Sequence, residues 1–130
     1  MNFKEHIEKN NINGLIIKSP YIEKILSHEK TWEIRSHKTK IRGEIALIKK
    51  GSKKILGTCK VVDVIGPLYF KDLISTNKHC IPKEKILQNK SKYEGKYAWI
   101  LSDAKTLKDP IDYNHPRGAV IWVKLKDRLI

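Results

Sequence analysis

The amino-acid sequence predicts an α+β fold, mainly β: a small closed or nearly closed barrel with a few flanking helices, built as one domain over residues 1–130. Two observations carry this expectation. The chain has 130 residues of which 40% are apolar, enough for one modest core and little more. Its apolar residues fall in short runs of strand character, and helical spacing appears only in brief stretches. About five to seven strands in this length favour closure, because closure hides edges that Val and Ile would otherwise leave sticky.

Gly14 to Lys18 is a continuous apolar run of strand length, expected to be buried. Ser19-Pro20 follows as an N-cap and first helical residue, with Glu23 in the first turn. Ile22, Ile25 and Leu26 share one helical face, so a two-turn helix is predicted from Pro20 to His28. From Thr31 the chain alternates with period two, placing Trp32 and Ile34 on one strand face and Thr31, Glu33 and Arg35 on the other. Of these, Trp32 is expected in the core. Residues 36–42 are polar and basic, hence loop. Gly43 to Ile48 reads as a strand, residues 49–53 as a turn, and Ile55 to Ile65 as a long strand with a bulge at Gly57, ended by Gly66-Pro67. Phe70, Leu73 and Ile74 form a short helical stripe, and a second helix starts at Pro82 with Ile86 and Leu87. Residues 90–96 form a charged loop, Tyr97 to Leu101 a strand, 109–116 a loop, and Gly118 to Val123 the last strand.

Charge points to partners. Lys and Arg number 27 against 14 Asp and Glu, a formal net charge of +13. Such a field attracts polyanions, and RNA or a nucleoside or nucleotide is the expected partner. Of the cations 23 are Lys and four are Arg, and Ile occurs 19 times, a bias that A/T-rich coding produces without selection for function. The arginines therefore carry more information, since the guanidinium fork grips phosphate and base edges bidentately. No apolar run approaches the roughly 18 residues of a membrane span. The N-terminal residues lack the apolar stretch of a secretory signal, so a cytoplasmic location is expected. Cys59 and Cys80 lie apart without a CxxC pair; two reduced thiols are expected, with no metal and no cofactor.

The segment Lys30-Thr31-Trp32-Glu33-Ile34-Arg35 is the most informative. Glu33 and Arg35, two apart on a strand, lie about 7 Å from each other on one face. That face is either solvent, where the pair is worth little, or an inner cleft. Lys30 joins them only if it precedes the regular strand. Elsewhere Tyr113-Asn114-His115-Pro116-Arg117 gathers ring, imidazole and guanidinium before the last strand, with His115 and Arg117 as the residues of interest. Lys49-Lys50 and Lys53-Lys54 make a basic hairpin tip, a candidate phosphate rail.

Ser19-Pro20-Tyr21, Lys30-Thr31-Trp32-Glu33-Ile34-Arg35 and Arg42-Gly43-Glu44, within a hallmark segment 14–67, resemble an ASCH domain, a small PUA-like β-barrel. The family pattern Gly-x-Lys-x-x-Glu-x-Arg is met by Lys30, Glu33 and Arg35, with His28 in place of the glycine, and residues 117–122 resemble the closing strand. The resemblance implies a cleft floored by this strand that accepts RNA or a nucleoside-sized ligand. Glu33 would read a base edge, Lys30 and Arg35 would hold charge, and Tyr21 would line the mouth. Thr31, His115 and Arg117 complete the set of candidate ligand-binding residues. Some relatives resemble acetylcytidine amidohydrolases that use a lysine, a threonine and a glutamate. The lysine matches Lys30, but the threonine falls at position 33, which is Glu33, and Thr31 is offset by two. Lys30 and Glu33 are the candidate catalytic residues if the chain is a hydrolase of this kind or a ribonuclease. A protein–protein adaptor with incidental lysines is the remaining alternative.

Overall fold

A computed structural model describes residues 2–130. In chain order the elements are α1 (Phe3–Asn10), β1 (Asn13–Ile17), α2 (Tyr21–Leu26), β2 (Trp32–Arg35), β3 (Gly43–Lys49), β4 (Lys54–Leu68), α3 (Phe70–Ile74), α4 (Lys83–Gln88), a 3₁₀ turn (Lys90–Tyr93), β5 (Lys96–Asp112) and β6 (Trp122–Lys124). The strands form one sheet in the order β2-β5-β4-β3-β1-β6, with β1 and β3 parallel and the other pairs antiparallel. The parallel pair needs a crossover, and α2 with β2 supplies it.

Alternation decides the packing. Leu15, Ile17, Ile45 and Leu47 point into one core, which α2 covers with Ile22 and Ile25. Ile16, Ala46 and Ile48, from the same two strands, point into a second core, which α1 covers with Ile7. Burial on both faces explains why β1 reads as a continuous apolar run instead of an alternating one. A third, smaller core of Leu73, Ile86 and Tyr93 holds the helical excursion over residues 69–95, and Ile34 of β2 packs against it.

Several elements differ from expectation. Helix α1 is not predicted, because it buries only Ile7; its ends are set by the Asn2 side chain accepting from the Glu5 N–H and by left-handed Asn11. Ser19 does not cap α2 by accepting a backbone N–H; its hydroxyl donates to Glu23 at 2.7 Å, and Pro20 occupies the cap position. Strand β5 continues through the segment expected as loop and pairs Ile111 with Ile55 and Asp112 with Lys54. Its pairing with β2 covers only Tyr97 to Ile100, so farther along the outer edge is free and tolerates Pro110. Residues 90–93 tighten into a 3₁₀ turn, and β6 is shorter than predicted. The predicted bulge at Gly57 is present as a register shift, and a Cβ there would lie 2.5 Å from Leu26.

Closure is incomplete, so of the closed or nearly closed barrel expected the chain forms the looser version. Strands β2 and β6 are the two sheet edges, with four and three residues, and no ladder joins them. Side chains span the seam instead: Arg35 Nη2 donates to the Ile16 carbonyl at 2.9 Å, and Trp99 of β5 stacks on Trp122 of β6 with centroids 5.6 Å apart. The free edge of β2 is met at Trp32 by the Lys78 carbonyl and the Lys30 ammonium, so the helical excursion stands where β6 would have to pair. Among the described residues no helix is long and apolar enough to cross a membrane.

Candidate functional site

A cleft of about 300 Å³ opens at this seam. Its floor is β2, its sheet wall comes from Ile16 to Lys18 with Tyr21 and Lys50, and its helical wall comes from Ile81, Lys85, Lys92 and Tyr93. The volume lies at the small end of ligand-binding pockets.

Glu33 sits at the bottom, 7% exposed. One carboxylate oxygen, Oε2, accepts from Arg35 Nε at 2.7 Å; the other, Oε1, lies 3.4 Å from Lys30 Nζ. Charge buried this deeply requires such pairing. Each cation ties the floor to a different wall. Arg35 reaches the Ile16 carbonyl on β1, while Lys30 Nζ donates to the Trp32 carbonyl and to the His79 carbonyl at 2.8 Å on the helical excursion. The backbone reinforces the second tie, since the N–H groups of Thr31 and Trp32 both donate to the Lys78 carbonyl.

Electrostatics follow from this packing. Burial pulls the Lys30 amine below its ordinary range, and the Glu33 carboxylate opposes that shift. Burial, helped by the negative charge of Glu33, pushes the Cys59 thiol up to about 12. Burial lowers the His79 imidazole; its hydrogen bond to the Leu73 carbonyl opposes the shift and the Lys30 charge adds to it. His79 Nδ1 accepts from the Ile81 N–H at 2.9 Å, so the Nε2–H tautomer donates to the Leu73 carbonyl.

Of the residues singled out from the sequence, Tyr21, Lys30, Glu33 and Arg35 come together in the cleft. Lys30 does precede the regular strand, which begins at Trp32, and so escapes the alternation that would send it to the opposite face. Its Nζ stands 5.2 Å from the centre of the Tyr21 ring. Thr31 is not in the cleft: it lines a separate hollow of about 70 Å³ with His28 and Leu101. His115 is not there either. Its Nδ1 meets the Tyr113 hydroxyl at 2.8 Å and its Nε2 donates to the Ala119 carbonyl at 2.9 Å, so its ring braces the 113–121 loop. That loop does border the cleft, through Val120, while Arg117 is exposed and lies outside. At the hairpin tip Lys50 lines the cleft, whereas Lys49 faces Glu23 and Lys54 pairs with Asp112. Trp32 is half-buried beneath Lys78, with Nζ 5.6 Å from its ring, and is not a core residue.

Sequence reasoning missed Lys18, Lys85, Lys92 and Lys96, which join Lys50 at the rim. No local signal marks them in a chain with 23 lysines. Among the described residues none of these five is in an ion pair. Nor do three of His, Cys, Asp and Glu stand together as a metal site among the described residues.

Residues 15–111 match the ASCH domain family. The fold is similar to the crystal structure of an ASCH protein from Zymomonas mobilis, with a TM-score of 0.67 at 15% identity over 89% of this chain and 88% of that one. A tyrosine-to-phenylalanine variant of the Zymomonas mobilis protein gives 0.67 at 15% identity over 89% and 91%, and a serine-to-alanine variant gives 0.65 at 15% identity over 89% of each chain. No curated protein matches the sequence. With the family match running over most of its length, this chain belongs to the ASCH domain family.

Proposed function

We propose that the cleft binds RNA or a nucleotide unit of it, with Glu33 accepting hydrogen bonds from a base and the rim lysines holding phosphate. The observation that carries this reading is a buried carboxylate, fixed between two cations, at the floor of a hollow rimmed by unpaired lysines. An ionised carboxylate has about four lone-pair sites, so lone pairs are left for base N–H groups after Arg35 and Lys30 are served. Arg35 keeps guanidinium N–H groups beyond the two that bond Glu33 and Ile16, and these suit a base oxygen or phosphate. Tyr21 offers an aromatic ring at the wall.

Binding is better supported than turnover. Lys30 has three acceptors around its Nζ, the full complement of an ammonium, which suits a structural cation more than a base. The threonine of an amide-cleaving set has Glu33 at its position, and Thr31 faces the other hollow; the hydroxyls that do line the cleft include those of Ser36 and Tyr21. The threonine-based hydrolysis of acylated cytidine is not expected.

The test is fluorescence anisotropy with short single-stranded RNAs at several salt concentrations, comparing wild type with Glu33→Gln and Arg35→Ala. Each variant should bind at least about ten-fold more weakly, the equivalent of 1.4 kcal/mol. Urea midpoints measured in parallel separate lost binding from lost fold. Wild-type affinity in both variants, with the fold intact, refutes the reading.

A further inference from the structure

Four of the five rim lysines stand in two banks; the fifth, Lys96 of β5, donates to Ser36 Oγ at 2.7 Å. Lys18 follows β1 and Lys50 opens the β3–β4 turn, tied to β1 by its N–H donating to the Ile17 carbonyl at 3.0 Å; both belong to the sheet wall. Lys85 on α4 and Lys92 on the 3₁₀ turn belong to the helical wall. The β2 floor with Glu33 lies between them. A free mononucleotide carries its phosphate on one side of the sugar and engages one bank. A nucleotide inside a strand has phosphate on its 5′ and 3′ sides, so both banks are used. Glu33 lies too deep, at 7% exposure, to meet a base edge still paired in a helix. Val120, 75% exposed, sits at the mouth and offers apolar contact to a sugar or base face entering it.

We propose that the cleft takes an internal nucleotide of a single-stranded polynucleotide, its base lowered onto Glu33 and its flanking phosphates held one on each lysine bank. The assignment rests on the base-binding reading above and specifies what presents the base. It makes the two banks equal partners, where a mononucleotide site needs only one.

The probes are a five-nucleotide RNA, its DNA counterpart, the RNA annealed to its complement, and the 5′-monophosphate of the central nucleoside, each central base being tried in turn. The proteins are wild type, Lys18→Gln/Lys50→Gln, Lys85→Gln/Lys92→Gln and Glu33→Gln. The single strand should bind at least about 100-fold more tightly than the monophosphate and than the duplex. Each bank variant should flatten the dependence of log affinity on log salt by about 0.7 for every phosphate it no longer neutralises. The DNA arm tells whether the 2′-hydroxyl contributes. A monophosphate or duplex that binds as well as the single strand, or a salt slope altered by one bank alone, overturns the two-bank proposal. Glu33→Gln keeps the two failures apart. If it weakens binding while only one bank matters, the base-binding reading stands and this proposal falls; if it weakens nothing, both fall.

Discussion

The two walls of the cleft are built differently. The sheet wall belongs to β1, which is buried on both faces between two large cores and hydrogen-bonded to β3 and β6. The helical wall is an excursion over residues 69–95 with four fully or nearly buried residues of its own, Leu73, His79, Ile86 and Tyr93, and it meets the floor mainly at Thr31 and Trp32 backbone and at Lys30. Sheet ladders and deep cores open only with global unfolding, whereas a lightly packed segment opens alone. Glu33 thus joins a rigid half to a soft one, and Lys30 is the buried side chain that fastens the soft half down. A site that admits a ligand gains from having one movable wall.

The largest test of this asymmetry is Lys30→Met. It removes the tie to the His79 carbonyl and leaves Glu33 with Arg35 alone, and losing one partner of a buried ion pair costs roughly 3–5 kcal/mol. Amide exchange should speed up over residues 70–95 before it does in β1 and β3; equal acceleration in both would show that the walls form one cooperative unit. Next is a matched pair of core truncations, Leu73→Ala and Leu47→Ala, at leucines that are both 0% exposed. Each removes about 2–5 kcal/mol of local packing. Leu47→Ala should lower the global urea midpoint by the larger amount, and Leu73→Ala should appear first as faster exchange in the excursion. Arg35→Ala comes third. It leaves the buried Glu33 with Lys30 alone at 3.4 Å and loses a bond to Ile16, about 2–4 kcal/mol in all with the part-exposed guanidinium discounted, and should loosen the seam without freeing the excursion.

The smallest effect is pH dependence. Burial holds the folded His79 below the ordinary imidazole value of 6.5, with the Lys30 cation adding to the shift and the Leu73 carbonyl opposing it. Below about pH 6.5 the unfolded chain therefore takes up a proton that the folded chain resists, so stability falls as the pH drops through that region. Protonation also removes the acceptor for the Ile81 N–H, on the helical wall. Exchange in residues 70–95, taken relative to the intrinsic amide rate at each pH, should rise between pH 7 and pH 5 ahead of the sheet. A rise of the same size in both regions would detach the effect from His79.

Much of the molecule is legible in the one-dimensional pattern. The alternation from Thr31 to Arg35 places Glu33 and Arg35 on a common face, and the apolar runs at Gly14 to Ile17 and Ile45 to Ile48 mark the two strands that carry both main cores. Helix α1 escapes notice because a single buried isoleucine gives no periodic stripe. The loop at 113–121 draws attention for its imidazole and guanidinium, yet it contributes Val120 to the cleft, because His115 is spent on Tyr113 and Ala119. Thr31 fails as a neighbour of Glu33 because regular strand geometry begins only at Trp32, so spacing counted from 31 does not govern its direction.

Backbone geometry imposes the strand character of the segments and the shared face of Glu33 and Arg35 within a few residues, so both can be read along the chain. Tertiary structure alone decided that this face turns inward, that the seam between β2 and β6 stays open, and that Lys18, Lys50, Lys85 and Lys92 converge on it. Those outcomes depend on how distant parts of the chain return to one place. A lysine stem and its charge look the same at every position of a lysine-rich chain, and only packing tells a rim cation from a solvated one.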